Sequence, residues 1–239
     1  MWLLSNKISV RESGLLEGFR DCHCHLLPGV DDGVQKMEET MRILEEWKLC
    51  GVNEVWMTPH IMEDIPNKAE VLRDKMEGVT AFYTGDVKLN LAAEHMMDGP
   101  FLMRLEENDV MPIGRDRDRL LVETSYYTPP MNMTEVIEKV KAKGYEPILA
   151  HPERYQYMDK DDYRRWKQRG VLLQLNVPSI VGAYGPEVQH KAEWLLKEDM
   201  YDYCGTDTHS IGQVRMFLNS EISKKIVKKV KQISDSQEL

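Results

Sequence analysis

Cysteine is scarce in this sequence, and the positions of its few copies limit what the protein can be. The four thiols form no paired framework like that of small secreted domains, and they belong to Cys22, Cys24, Cys50 and Cys204. A cysteine-dependent phosphatase needs an arginine six residues after its nucleophile, but the corresponding positions hold Pro28, Val30, Trp56 and Ser210. We therefore expect a reducing compartment, and we exclude thiol-based phosphatase chemistry.

Long apolar runs and an excess of positive charge are also missing. No segment approaches the roughly 18 apolar residues of a membrane helix, and residues 1–18 lack the pattern of a secretory signal. We therefore expect a soluble, cytoplasmic protein with no membrane insertion. The formal net charge of −9 disfavours binding to nucleic acid. The lysines clustered at residues 224–231 overlie Ile222, Ile226, Val230 and Ile233 at helical spacing, which predicts a C-terminal amphipathic helix rather than a nucleic-acid or membrane patch.

Short apolar segments alternate with longer helical ones, which predicts a single α/β domain over residues 19–239, after an N-terminal extension of residues 1–18. The predicted strands are Phe19–Cys24, Asn53–Met57, Val87–Ala93, Arg119–Glu123, Pro147–Ala150, Val171–Asn176 and Tyr201–Thr206. The predicted helices between them lie near Lys36–Leu49, Ile65–Tyr83, Asn132–Lys143, Lys160–Arg169 and Pro186–Lys197. Ligand-type side chains follow six of the seven strands, and this favours a barrel over an open sheet.

Histidines and carboxylates recur at these strand ends. His23 and His25 are two residues apart on a strand and share one face, whereas Cys22 and Cys24 should face the helices. Asp31 fits a turn and helix cap. The other candidate ligands are Asp32, His60, Glu94, Glu123, His151, Asp207 and His209. Nine such groups exceed one tetrahedral site, so we expect two or three divalent cations, with Mn first and Fe or Zn as alternatives.

These motifs resemble those of the PHP (polymerase and histidinol phosphatase) superfamily, and within it the bacterial protein-tyrosine phosphatases of capsule and exopolysaccharide loci. The resemblance spans about Phe19–Ile211 and rests on His-x-His at 23–25, Val-Asp-Asp-Gly at 30–33, Thr-Pro-His at 58–60, Ala-Glu at 93–94, His-Pro-Glu-Arg-Tyr at 151–155 and Asp-x-His at 207–209. It implies a distorted (β/α)7 barrel and a trinuclear site with the nine residues as ligands. It also implies that Glu94 bridges cations and that Arg154 grips the substrate phosphate. Arg215 stands close to the place of a further family arginine and is the second catalytic candidate.

The resemblance implies a protein-tyrosine phosphatase in which the cations generate a hydroxide for in-line attack on phosphotyrosine. The substrate would be a phosphotyrosine protein, such as the tail of a bacterial tyrosine kinase, and the oligomeric state stays open. Glu123 favours this branch, because other branches often place a histidine there. One alternative is a PHP phosphatase of a small metabolite such as histidinol phosphate, or a PHP nuclease; another is a catalytically silent binding module. The motifs GxxxxGK[ST], GxGxxG and HExxH are absent, so nucleoside-triphosphate, dinucleotide and simple zinc-protease functions lack support.

Overall fold

A computed structural model of the protein describes residues 7–239, and it consists of parallel strands surrounded by helices. The strands are β1 Lys7–Ser9, β2 Arg20–Cys24, β3 Glu54–Met57, β4 His60–Ile61, β5 Lys88–Leu91, β6 Glu94–Met96, β7 Arg119–Glu123, β8 Glu146–Ala150, β9 Leu172–Asn176, β10 Tyr203–Gly205 and β11 Glu221–Ser223. The helices are α1 Met37–Leu49, α2 Ala69–Phe82, α3 Phe101–Glu106, α4 Met133–Ala142, α5 Lys160–Gln168, α6 Val177–Ile180, α7 Pro186–Lys197, α8 Ile211–Asn219 and α9 Lys224–Ser236, with a 3-10 turn at Pro152–Arg154.

The parallel strands curl into a ring with seven positions. Three strands pair in the order β2-β3-β5, and six pair in the order β10-β9-β8-β7-β6-β4. β4 continues β3 and β6 continues β5 after short breaks, so each pair acts as one bent strand. The ring closes between its last and first strands, where Asp207 N donates to His23 O at 2.7 Å and His25 N donates to Thr208 O at 2.9 Å. The expected distorted (β/α)7 barrel is confirmed.

Side chains alternate along these strands between the barrel interior and the layer under the helices. In β7, for example, Leu121 belongs to an interior cluster, whereas Leu120 and Val122 belong to the large cluster that also holds the apolar faces of the helices. The interior cluster is a small set of side chains, six of them from strands: Cys22, Trp56, Ala92, Ile113, Leu121, Ile148, Ala150, Tyr203 and Leu239. It fills the barrel below the carboxyl ends of the strands, where the candidate ligands lie.

One predicted side-chain direction is wrong. Cys24 lies in the helix-facing cluster as expected, but Cys22 lies in the interior cluster. The pairing of β2 with β3 shifts register between Asp21 and Cys24, so the strict two-residue alternation of a regular strand fails there. Within residues 7–239, neither thiol belongs to a cluster of potential metal ligands.

Several elements lie outside the predicted pattern. β1 pairs antiparallel with β11 away from the barrel, and Ile222, which we expected in the C-terminal helix, lies in β11. The expected amphipathic helix is α9, with Ile226, Val227 and Val230 buried. Ahead of the barrel, Leu15 is fully buried in the large cluster. Across residues 7–239, no helix has the length and apolar character needed to cross a membrane.

Candidate metal centre

All nine candidate ligands meet at the carboxyl ends of the barrel strands. Their side chains form four overlapping groups whose potential ligand atoms lie within 4.8 Å of one another: His25 with Asp32, His60 and His209; His23 with His25 and Asp207; His23 with Glu94 and His151; and His60 with Glu94 and Glu123. The barrel gathers them because parallel strands end at the same rim, and six of the seven predicted strand ends contribute at least one.

The most buried group surrounds a single point. His23 Nε2 lies 3.1 Å from His25 Nε2, 3.2 Å from Glu94 Oε2 and 3.4 Å from Asp207 Oδ1. His25 Nε2 lies 3.4 Å from the same Glu94 oxygen and 3.3 Å from the same Asp207 oxygen. Atoms bound about 2.1 Å from one cation in tetrahedral geometry stand about 3.4 Å apart. The two nitrogens and each of the two carboxylate oxygens are therefore spaced as a divalent cation requires.

Glu94 links this group to a second one. Its Oε2 also lies 3.1 Å from His60 Nδ1, which in turn is 2.9 Å from Glu123 Oε1. Its Oε1 lies 2.8 Å from His151 Nε2. One carboxylate therefore faces four imidazoles through two oxygens, which is the arrangement that a bridging ligand needs.

A third group lies at the solvent side of the centre. Asp32 Oδ1 is 3.5 Å from His60 Nε2 and 3.5 Å from His209 Nε2. The Asp32 side chain is 66% exposed, whereas the Glu94 side chain is fully buried. His60 reaches this group through Nε2 and the second group through Nδ1, so the three groups form one continuous cluster.

Several buried atoms of the cluster have no hydrogen-bond partner in the described part of the chain. They are His60 Nδ1, Glu94 Oε2, Glu123 Oε1 and His151 Nδ1. Buried polar atoms without partners are costly, and most native proteins avoid them. The close contacts among three of these atoms have distances, but not angles, that suit hydrogen bonds. Cations between the lone pairs would satisfy these atoms, so the residues present fit a multinuclear metal site.

Opposite charges within the cluster shift the pKa values of its buried side chains. Burial alone would raise the pKa of Glu94, but the imidazoles of His23 and His151 hold it well below its usual range. Burial lowers the pKa of His60, yet the carboxylates of Glu94 and Glu123 outweigh it and raise that pKa to about 10. Glu94 therefore stays anionic, and without metal His60 retains a proton that a cation would displace.

Side chains behind the candidate ligands fix the orientations of two imidazole rings. His25 Nδ1 lies 2.8 Å from Asp31 Oδ2, and His23 Nδ1 lies 3.1 Å from Gln174 Oε1. Such contacts select the tautomer whose Nε2 is free to bind metal. Sequence reasoning gave Asp31 only a turn role, which it also fills by accepting from Gly33 N at 3.0 Å. It missed Gln174 altogether, although the amide side chains at positions 174 and 176 among the leucines of β9 were a usable signal.

The backbone is unusual at two of the candidate ligands. His151 and Asp207 have left-handed φ angles of 34° and 51°. Non-glycine residues adopt this region at a cost of about 1–3 kcal/mol, and such strain concentrates at functional sites. Beside them, Gly205 has no room for a side chain, because a Cβ there would lie 2.6 Å from His23 Cβ.

The two arginines implied by the resemblance lie in different environments. Arg154, at the end of the 3-10 turn, is 17% exposed and its Nη1 donates to Asp207 Oδ2 at 2.6 Å. Arg215 lies on the exposed side of α8, and no hydrogen bond or ion pair within residues 7–239 joins it to the cluster. The structure therefore shows a direct contact with a candidate ligand for Arg154, but not for Arg215.

Comparisons with known proteins agree with this geometry. Residues 19–236 match the sequence model of the family CpsB/CapC, described as capsular polysaccharide synthesis. The putative tyrosine-protein phosphatase CapC of Staphylococcus aureus is 23% identical over 198 residues, which cover 80% of this chain and 77% of CapC. Tyrosine-protein phosphatase CpsB of Streptococcus pneumoniae is 23% identical over 210 residues, covering 80% and 83%.

A solved structure shares the fold. It is described among crystal structures of YwqE from Bacillus subtilis and CpsB from Streptococcus pneumoniae, unique metal-dependent tyrosine phosphatases. The TM-score is 0.75 at 18% identity, with 91% of this chain and 94% of the other covered. The family match spans the whole barrel with all nine candidate ligands, and the chain therefore belongs to the CpsB/CapC family of capsular polysaccharide synthesis.

Proposed function

We propose that this chain is a metal-dependent protein-tyrosine phosphatase whose metallophosphatase domain spans residues 19–239. The observation that carries the proposal is the position of Glu94, whose Oε2 lies within 3.4 Å of ring nitrogens of His23, His25 and His60. A buried carboxylate shared in this way suits two or more cations held side by side. The names of the relatives from Staphylococcus aureus and Streptococcus pneumoniae support tyrosine-phosphatase activity.

The proposed ligands are the nine residues of the cluster, and the proposed ions are two or three divalent transition metals. Mn is our first choice, with Fe or Zn as alternatives, because the ligands are imidazoles and carboxylates without thiolates. When bound, such ions would neutralise phosphate charge and lower the pKa of a coordinated water towards about 7. The contacts of Asp31 with His25 Nδ1 and of Gln174 with His23 Nδ1 would keep these ligand rings in place during turnover.

Arg154 supplies the proposed contact to the substrate. Its guanidinium lies next to Asp207, so donors on it can reach a phosphate that sits at the metals. Hydrogen bonds from a fixed arginine stabilise the charge that develops on the transferring phosphoryl group. The leaving phenol has a pKa near 10, so it needs less proton donation than an alkyl alcohol. Arg215 is the second candidate for this role.

The proposed substrate is a phosphotyrosine protein of the cytoplasm, such as the tail of a bacterial tyrosine kinase involved in capsule or exopolysaccharide production. Family membership supports the link to capsule synthesis. All four cysteines are unpaired, which fits a reducing compartment.

The test combines elemental analysis of the purified protein with hydrolysis assays on three substrates: a phosphotyrosine peptide, the matched phosphoserine peptide and histidinol phosphate. We expect more than one metal per chain, loss of activity on chelation, and the highest kcat/KM on phosphotyrosine. A clear preference for histidinol phosphate would transfer the assignment to a small-metabolite phosphatase. Metal-loaded protein that is inactive on all three substrates would instead favour a binding module.

A further inference from the structure

The guanidinium of Arg154 is stacked against two aromatic rings. Its Cζ atom lies 4.4 Å from the ring centroid of Tyr126 and 4.4 Å from that of Tyr184. The cation therefore lies over both rings, at separations typical of strong cation–π contacts.

A ring of contacts fixes the arginine further. Arg154 Nη1 donates to Asp207 Oδ2, and Asn176 Nδ2 donates to the same oxygen at 3.1 Å. Asn176 Nδ2 also lies 3.1 Å from the hydroxyl oxygen of Tyr184, which stacks on Arg154. These contacts form a closed circuit from Arg154 through Asp207, Asn176 and Tyr184 back to Arg154. Asp207 in this circuit is a candidate metal ligand.

The same circuit is anchored to the barrel. Asn176 ends β9, and its backbone N donates to Glu153 Oε1 at 3.0 Å. The other oxygen of Glu153 accepts from the Tyr201 hydroxyl at 3.0 Å. Glu153 immediately precedes Arg154, so the turn that carries the arginine is tied to the neighbouring strand. The guanidinium is therefore held in place in two ways: the turn that carries Arg154 is tied to β9, and the Arg154 side chain makes its own contacts.

Only one part of the guanidinium is left open. Two rings contact the guanidinium and Nη1 is occupied, whereas Nε and Nη2 make no hydrogen bond or ion pair with any residue between 7 and 239. Those two nitrogens form an edge whose parallel N–H groups match two oxygens of a phosphate. We propose that Tyr126 and Tyr184 are positioning residues that hold this edge of Arg154 towards the substrate phosphate. This inference rests on the proposed phosphatase function and adds two residues to its site.

The test compares ring removal with hydroxyl removal. Tyr184→Leu and Tyr126→Leu should each lower kcat/KM on a phosphotyrosine peptide about 10-fold, the scale of one desolvated cation–π contact of about 1.4 kcal/mol. Tyr126→Phe should stay within 2-fold of the parent, because it keeps the ring. Metal content should be unchanged in all of them. Tyr127→Leu is the matched control, because this neighbouring ring is 69% exposed and stacks on no cation.

A double-mutant cycle separates positioning from general stability. In an Arg154→Ala background, Tyr184→Leu should change kcat/KM less than 2-fold, because there is no guanidinium left to hold. A full 10-fold effect in that background would overturn the inference, and so would equal activities of the Leu and Phe variants at position 126.

A binding measurement distinguishes this inference from the proposed function. Calorimetric titration of the metal-loaded protein with inorganic phosphate should show about 10-fold weaker binding for Tyr184→Leu, and the same affinity as the parent for Tyr127→Leu. If phosphotyrosine peptides are not hydrolysed but this pattern appears, the phosphatase assignment fails while the tyrosine pair keeps its role. If peptides are hydrolysed and phosphate affinity does not depend on either ring, the positioning role fails alone.

Discussion

Replacing Asp31 tests whether the centre depends on residues behind the metal ligands. The buried carboxylate of Asp31 accepts from His25 Nδ1 at 2.8 Å, from Gly33 N at 3.0 Å and from His60 N at 3.0 Å. Hydrogen bonds to a charged acceptor contribute about 1.5–3 kcal/mol each, but an opened loop would let water replace part of them. We therefore expect Asp31→Ala to lower the free energy of unfolding of the metal-free protein by about 2–4 kcal/mol.

The same substitution should weaken metal binding, because His25 loses the partner that fixes its ring. Loss of a hydrogen bond that orients a metal ligand typically lowers metal affinity about 10–100-fold. Denaturant unfolding of the metal-free protein gives the stability, and competition with a chromophoric chelator gives the affinity. Asp32→Ala is the matched comparison: its exposed carboxylate belongs to a ligand group, so metal affinity should fall while stability stays within about 0.5 kcal/mol.

The stabilisation by Asp31 should depend on pH in a defined direction. Burial alone would raise the pKa of this carboxyl, but the hydrogen bond and charge of His25 outweigh it and lower the pKa to about 2. A folded-state pKa below the unfolded value of about 3.9 means that the stabilisation is complete above about pH 4 and is lost as pH falls through about 2. An Asp31→Ala protein that keeps both parental stability and parental metal affinity would refute the reasoning.

Four further predictions follow from the centre and its surroundings. Glu94→Gln should remove more than one equivalent of metal by elemental analysis, because both carboxylate oxygens face imidazoles. Arg154→Ala should keep its metals but lose about 10²-fold in kcat, and Arg154→Lys should recover only part of that loss. Undiminished turnover of Arg154→Ala would assign the contact with the substrate phosphate to Arg215. Joint replacement of Cys22 and Cys24 by alanine should lower the melting temperature but leave kcat within a few-fold, since neither thiol belongs to a ligand group. Because the pKa of His60 is about 10 without metal, cation binding at pH 8 should release protons and tighten as pH rises, and calorimetry in buffers of different ionisation enthalpy would detect this.

The barrel was predictable because buried parallel strands are short apolar runs bounded by turn residues. The strand Arg119–Glu123 and the helix Pro186–Lys197 were predicted to the residue. The sequence did not reveal that the strand expected at Val87–Ala93 ends at Leu91 and restarts at Glu94. Such a break depends on the curvature of the closed ring, which no local pattern records.

The candidate centre was predictable as a set of ligand types, but its supporting contacts were not. A His-x-His pair and carboxylates at strand ends can be recognised as potential metal ligands from their spacing in the sequence. The partner of His23 Nδ1, however, lies 151 residues away at Gln174, and the direction of Cys22 depends on a shift in strand register. The stacking of Arg154 likewise requires Tyr126 and Tyr184 from two other loops. These features arise only when distant segments meet.

The closure of the ring between β2 and β10 also has a consequence for how the protein is made. The innermost ligand group takes His23 and His25 from the first barrel strand and Asp207 from the segment after the last one. During synthesis on the ribosome the two histidines emerge long before the aspartate, so this group cannot assemble on a partly translated chain. Contacts of such wide sequence separation also form slowly. A cation held by this group would therefore be acquired only after the segment that carries Asp207 has been synthesised.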